Sequence, residues 1–176
     1  MSYIKRFSEI SKDDVKDVGG KAASLGEMSR ADFPVPDGFV VSTETFKQFS
    51  HTGLSDEVKN EILAAFDQLG TERVAVRSSA VAEDSSSASW AGQLESYLNT
   101  SRDHLIERIE DCWESIQSER ALAYTAQNKI PEQDLLVAVV VQKMVNSESA
   151  GVMFTANPIT NNREQIMIEA CYGLVS

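Results

Sequence analysis

Val74-Ala-Val-Arg-Ser-Ser-Ala-Val-Ala-Glu-Asp84, followed by the small residues Ser85–Ser89 and by Trp90-Ala-Gly-Gln93, decides the reading of this chain. The apolar run predicts a strand over Arg73–Arg77 that delivers a guanidinium at its end. From Ser78 to Ser101 no side chain is cationic. A loop of this kind grips an anion only through backbone N–H groups and hydroxyls, and Gly92 lets the backbone come close. A guanidinium binds phosphate bidentately, so one Arg beside a Gly/Ser loop has the make-up of a polyphosphate site. Two plainer readings stand beside this one. Arg77 also has the spacing for an ion pair with Glu83 or Asp84, and Ser85–Gln93 also reads as a surface hairpin. Trp90 counts against the hairpin, because an indole is costly on an exposed tip.

Working outward, the chain alternates helical and strand periods. Gly19-Gly20 opens a short helix over Lys21–Arg30, Phe33–Gly38 is a Pro-rich turn, and Phe39–Val41 is a brief buried strand. Ser42 caps a helix running toward Ser50, and Ser55 caps another with Val58, Ile62, Ala65, Phe66 and Leu69 on one stripe, closed by Gly70. Leu94–Leu98 predicts a strand with Leu94, Ser96 and Leu98 on one face. Asp103–Ala126 predicts the longest helix, with Leu105, Ile109, Cys112, Trp113 and Ile116 facing the core. Leu135–Met144 is almost uninterrupted Val and Leu, the pattern of a central strand buried on both faces. Gly151–Thr155 and Gln165–Glu169 read as paired strands. The polar break at Asn146–Ser149 divides the chain into 1–145, a first lobe with the phosphate loop, and 146–176, the start of a second.

At 176 residues the chain can bury a core without metals or disulfides. With 42% hydrophobic and 24% charged residues it reads as globular. Its net charge of −11 repels nucleic acid and anionic membranes, so an anionic ligand needs locally focused groups. Cys112 and Cys171 stand apart from any CxxC or Cys/His cluster and read as reduced core thiols. No segment approaches the roughly 18 apolar residues of a membrane span. The expectation is a cytoplasmic chain.

Gly19-Gly20-Lys21 places an ammonium in the first turn of a helix, where amide dipoles favour an anion. It is not a Walker A loop, which needs Gly at 15 and Ser or Thr at 22, where Val15 and Ala22 stand. A helix-start turn with an exposed Lys fits the triplet equally. Gln142-Lys143-Met144-Val145 ends the most apolar strand just before the polar break. Such an end offers an N–H and a C=O to the edge of a purine, with Met144 and Val145 as an apolar face. An ordinary core strand with Lys143 reaching solvent is the other reading. His51 and His104 lie in polar helical segments without ligand-spaced partners.

Five segments occur in order: Gly-Gly-Lys-Ala-Ala-Ser-Leu-Gly-Glu-Met (19–28), Phe-Pro-Val-Pro-Asp-Gly-Phe-Val-Val (33–41), Arg-Ser-Ser-Ala-Val-Ala-Glu-Asp (77–84), Ala-Gly-Gln-Leu-Glu-Ser-Tyr-Leu-Asn (91–99) and Ser-Ala-Gly-Val-Met-Phe-Thr-Ala-Asn-Pro (149–158). Together they resemble the N-terminal ATP-binding domain of the phosphoenolpyruvate synthase and pyruvate phosphate dikinase family, shared with rifampin phosphotransferases. The resemblance implies an α/β (α+β) fold, an ATP-grasp-like nucleotide-binding lobe with a truncated second lobe, and ATP with Mg2+ as cofactors. It places Lys21 and Arg77 on the phosphates, Gly92 out to Ser96 in the phosphate loop, and Gln142, Lys143, Met144 and Val145 at the adenine. In the family this domain phosphorylates a histidine on a separate domain, which passes phosphate to pyruvate while ATP becomes AMP and phosphate.

The departures set expectations of their own. The family's metal-binding Glu and Gln and its late Arg lie in segments with no counterpart here, and Gly-Leu-Gly-Glu is replaced by Gly173-Leu-Val-Ser176. The region from Leu98 to Leu135 is short for a whole subdomain. No catalytic or metal-binding residue is assigned, and the chain alone is expected to be inactive. Its partners are then ATP and phosphohistidine and pyruvate domains in trans. The rival expectation is a non-catalytic nucleotide-binding or protein-interaction module, including a homodimer through strands between Gly151 and Glu169, or a part of a related phosphotransferase with another acceptor.

Overall fold

The computed structural model describes residues 3–81, 95–128 and 135–174. It divides into two compact units, Met1–Met144 and Val145–Ser176. The first mixes helix and sheet. Its strands are β1 (Ile4–Arg6), β2 (Gly38–Val41), β3 (Val74–Ala80), β4 (Ser96–Thr100) and β5 (Val137–Lys143), in the order β1-β2-β5-β3-β4. Every neighbouring pair is antiparallel. The fold is α/β in the broad sense of mixed helix and sheet, as the sequence implies.

β5 lies at the centre because its residues are apolar on both faces. Val137, Val139 and Val141 join one core with α3 (Asp56–Leu69) and α4 (Leu105–Glu114), and Ala138 and Val140 join another under α1 (Val15–Arg30). All five are essentially fully buried, and a buried Val contributes about 1.5 kcal/mol or more. The helix starts obey their caps. Ser42 Oγ accepts from the Thr45 amide at the head of α2 (Thr43–Phe49), and Ser55 Oγ from that of Val58 at the head of α3. Each cap satisfies an amide that the first turn leaves without a helical partner.

Four local expectations need correction. β3 runs to Ala80, so Arg77 is mid-strand; Ser78, Ser79 and Ala80 continue the ladder because Val139, Ala138 and Val137 lie opposite them. Of the expected strand Leu94–Leu98, Leu94 lies outside the described residues; β4 runs on past Leu98 to Thr100, and Tyr97 packs against the core. A bulge between the Val74 and Val76 pairings, with Asn99 at φ +56°, absorbs one residue and shifts the alternation. The long helix divides into α4 and α5 (Glu119–Asn128) around a 3-10 turn at Ser115–Gln117. Ser115 Oγ donates to the Cys112 carbonyl at 2.7 Å and Ser118 Oγ accepts from the Ala121 amide, so hydroxyls compete with the helical ladder here. Finally, Cys112 is buried but Cys171 is exposed.

The second unit contains the antiparallel pair β6 (Ser149–Phe154) and β7 (Met167–Tyr172). Cys171 sits in β7, whose residues are mostly exposed, which is why the expected core thiol is not one. Asn157 Oδ1 accepts from the Ile159 and Thr160 amides and shapes the connection between the strands.

Candidate nucleotide site

α1 changes direction at Gly19, whose φ of +76° and ψ of 166° are non-helical, so the run facing the sheet starts at Gly20. Such dihedrals are essentially restricted to glycine. They let the chain pass directly over β3: a methyl group at Gly19 would stand 2.2 Å from the Ser79 carbonyl oxygen and 2.4 Å from its Oγ. The Ser79 hydroxyl accepts a hydrogen bond from the Ala22 amide at 3.1 Å. A side chain from the neighbouring strand thus fills the place of a local helix cap.

This contact aims Lys21. Its ammonium donates to the Ser78 carbonyl, 57 positions away. The Ser78 amide and hydroxyl both donate to the Glu95 carbonyl at the entrance to β4. Lys21 is therefore held at the corner where β3 meets β4. Arg77 pairs in register with Ser96 on one side and Val140 on the other. Directly opposed residues share a sheet face, and Val140 packs in the core beneath α1. Arg77 thus lies on the α1 side of the sheet, half-buried, one residue from the carbonyl that holds Lys21. Lys21, Arg77 and Ser96 converge; Gly92 and the rest of Ser85–Gln93, with Trp90, lie outside the described residues.

Gln142 faces the same side, opposite Ala75. From there to Ser78 is three residues of strand, about 10 Å, a separation suited to the base and phosphates of one extended nucleotide. Much of this strand end already serves the fold. Gln142 Nε2 donates to the Pro36 carbonyl at 2.9 Å, the Lys143 amide to Asp37 O at 2.9 Å, and the Met144 amide to Arg73 O at 3.2 Å. These bonds pin the Pro34–Gly38 turn and the start of β3 to β5. Val145, half-exposed, is the first residue of the second unit.

Behind the corner, on the other face of β3, the Cys112 thiol is pushed up to about 11, mainly by burial, with Ser78 as a hydrogen-bonding neighbour. It is a neutral packing group. Among the described residues no group of three or more His, Cys, Asp or Glu side chains is placed to hold a metal ion. None of the helices among those residues is long and apolar enough to cross a membrane. The sequence reading missed Ser79 and Gly19 as positioning residues. The signal for Ser79 is the small-residue pair Ser78-Ser79, which by itself reads as loop and becomes strand only beneath a helix; that for Gly19 is the glycine pair ahead of Lys21.

Comparison with known proteins meets this geometry. The model of the pyruvate phosphate dikinase AMP/ATP-binding domain matches in two overlapping stretches, residues 15–60 and 49–176. The chain is 39% identical to a probable phosphoenolpyruvate synthase of Archaeoglobus fulgidus, with 96% of this chain and 28% of that protein aligned. It is 37% identical to the phosphoenolpyruvate synthase of Pyrococcus furiosus, over 98% of this chain and 30% of that protein. With the phosphoenolpyruvate synthase of Aeropyrum pernix the figures are 40%, 96% and 26%. The chain thus spans between a quarter and a third of the length of these relatives. The three alignments run over 211, 247 and 212 positions, each longer than the 176 residues of this chain. Matched by the family model through all its described elements from α1 onward, the chain belongs to the pyruvate phosphate dikinase AMP/ATP-binding domain family.

Proposed function

We propose that this chain is the ATP-holding part of a phosphoenolpyruvate-synthase-like dikinase, which phosphorylates a histidine on a separate domain for transfer to pyruvate. The observation that carries the reading is the convergence of Lys21 and Arg77 on one corner of the sheet, from positions 56 apart in sequence. In this reading Lys21 and Arg77 neutralise the phosphates, and Ser96 and Gly92 belong to the loop around them. Gln142, Lys143, Met144 and Val145 border the base. The amides of Lys143 and Met144 are engaged with Asp37 and Arg73, so base recognition at this end draws on carbonyls and on the Met144 and Val145 side chains.

The phosphohistidine and pyruvate domains act in trans or in a longer chain, in the cytoplasm. Mg2+ accompanies ATP, and the described residues supply no cluster to hold it. Phosphoryl transfer depends on metal and cations for charge stabilisation. The 176 residues alone should therefore bind ATP without forming AMP from ATP and pyruvate.

Calorimetric titration with ATP, with and without magnesium, tests the reading. Micromolar binding that is lost in Arg77→Ala supports it, and absence of binding up to millimolar ATP defeats it. A second reading, an interaction module without turnover, is favoured by one observation. Met153, Ile168 and Tyr172 lie on one face of the β6–β7 pair and are 61%, 69% and 96% exposed. A two-stranded pair with an open apolar face is marginal by itself, and a homodimer through it would be visible by sedimentation.

A further inference from the structure

β4 is the last strand in the order of the five-stranded sheet, and its outer edge has no strand partner among the described residues. The bulge takes Asn99 out of the ladder, at φ +56°, and the Asn99 carbonyl accepts from Arg73 Nη1 at 3.1 Å. After Thr100 the chain turns through Arg102–His104 into α4. Arg102 fixes this turn to α3, meeting both carboxylate oxygens of Asp67 at 2.7 and 3.0 Å.

A pocket of about 500 Å³ lies along this edge, between the start of β3 and the head of α4. Three basic side chains stand in its wall, each tied to another part of that wall. Arg73 is held by the Asn99 carbonyl, His104 Nδ1 lies 3.0 Å from Ser101 Oγ, and the Arg108 guanidinium sits over the Tyr97 ring, 4.9 Å from its centroid. His104 and Arg108 are four positions apart, the spacing that puts two side chains on one helix face. No Asp or Glu lines the pocket, in a chain with 27 acidic residues against 16 Lys and Arg. Glu95, Asp103 and Glu107 are close in sequence but form no part of the wall. Arg108 gives Nη1 to Asp111 at 2.6 Å, which leaves other N–H donors of its fork unused. Arg73 has no carboxylate within ion-pair distance among the described residues. Cations gathered without a counter-charge repel one another, and an anion placed among them relieves that repulsion.

We propose that this pocket binds the phosphate group of a small phosphorylated metabolite, at a site separate from the nucleotide corner and independent of the ATP reading. Arg73 supplies the charge that no carboxylate neutralises, and His104 and Arg108 supply donors from across the pocket. These donors come from three elements, the start of β3, the turn and α4. Convergence from three directions suits the tetrahedral oxygens of a phosphate, whereas a planar carboxylate is satisfied by one fork. The two sites lie on different faces of the sheet. Arg77 is on the α1 side, while Tyr97, beneath Arg108, packs on the core of α3 and α4. They approach each other at Ser96, which lines the pocket and pairs in register with Arg77.

The probe is glycerol 3-phosphate, titrated into the full 176-residue chain and followed by amide NMR, with succinate as the carboxylate comparator. Saturable binding at millimolar concentration or below is expected, with the amides of Asn99, Ser101 and His104 moving. Arg73→Gln and His104→Glu, both at exposed positions, should each weaken binding about tenfold or more with unchanged melting temperatures. Amides that stay put at saturating millimolar probe overturn the proposal, as does full binding to either variant. Shifts centred on Lys21 and Arg77 instead would place the phosphate at the nucleotide corner and overturn the separate site. Succinate binding as tightly as glycerol 3-phosphate would overturn the assignment to phosphate.

Discussion

Replacing Gly19 with Ala places a Cβ where the structure has no room for one. The position has φ +76° and ψ 166°, a region whose occupation by an L-residue costs about 1–3 kcal/mol. The new methyl would also stand 2.2 Å from the Ser79 carbonyl oxygen, which is backbone in a central strand pair and cannot rotate away. Overpacking of this kind adds about 1–3 kcal/mol. The combined loss is about 2–6 kcal/mol, a large share of the roughly 5–15 kcal/mol available to a domain. The control is Gly53→Ala, which has nearly the same φ, +75°, but whose nearest heavy atom to the added Cβ is Glu110 Oε1 at 3.9 Å. That variant carries backbone strain alone and should lose about 1–2 kcal/mol. Urea denaturation with linear extrapolation measures both, with m confirming that the transitions remain comparable. A Gly19→Ala loss no larger than that of Gly53→Ala would refute the close approach of α1 to β3. The placement of Lys21 over Ser78 would fall with it.

Other measurements reach the remaining parts. Arg77→Lys keeps the charge but loses the planar fork, and should weaken ATP binding by about 1–3 kcal/mol in calorimetry; unchanged affinity would remove Arg77 from the phosphate site. Ser79→Ala leaves the Ala22 amide without its acceptor and should cost about 1 kcal/mol of stability, read from the urea midpoint. The Asp14 carboxyl is held at about 2 by hydrogen bonds from Ser11 and then by Lys5. Its stabilisation is thus present above pH 4 and lost as pH falls from about 4 to 2. Discounted for its partial exposure, this amounts to about 1 kcal/mol, and Asp14→Asn should flatten that limb of the stability–pH curve. A thiol reagent at pH 8 should modify one cysteine quickly, exposed Cys171, while Cys112 stays protected until unfolding. Equal labelling rates would contradict its burial.

How much of this was legible beforehand depends on how local the physics is. The caps at Ser42 and Ser55, the α3 stripe and the doubly buried β5 are set by side chains within a few positions of one another, and all were readable. The division of α4 from α5 was present in Ser115 and Ser118, but a continuous apolar stripe through Ile116 masked it. The shift of β4 was not readable, because a bulge costs one residue of register and appears only when both strands are paired. The length of β3 was hidden for a related reason. Ser78, Ser79 and Ala80 have little strand preference of their own and become strand because the valines of β5 lie opposite them.

For the site, the sequence by itself determined which residue types are present: a guanidinium after an apolar run, an ammonium after two glycines, an apolar strand before a polar break. It also determined the family, through five ordered segments. Only the tertiary structure decided that Lys21 and Arg77 occupy the same corner, that Ser79 caps the helix carrying Lys21, and that the Lys143 and Met144 amides are committed to the fold. The physical reason is sequence distance. Lys21 and Ser78 are 57 positions apart, and their contact is produced by neither residue's preference. It follows from the register of β3 on β5 and from a glycine that lets α1 lie against that pair.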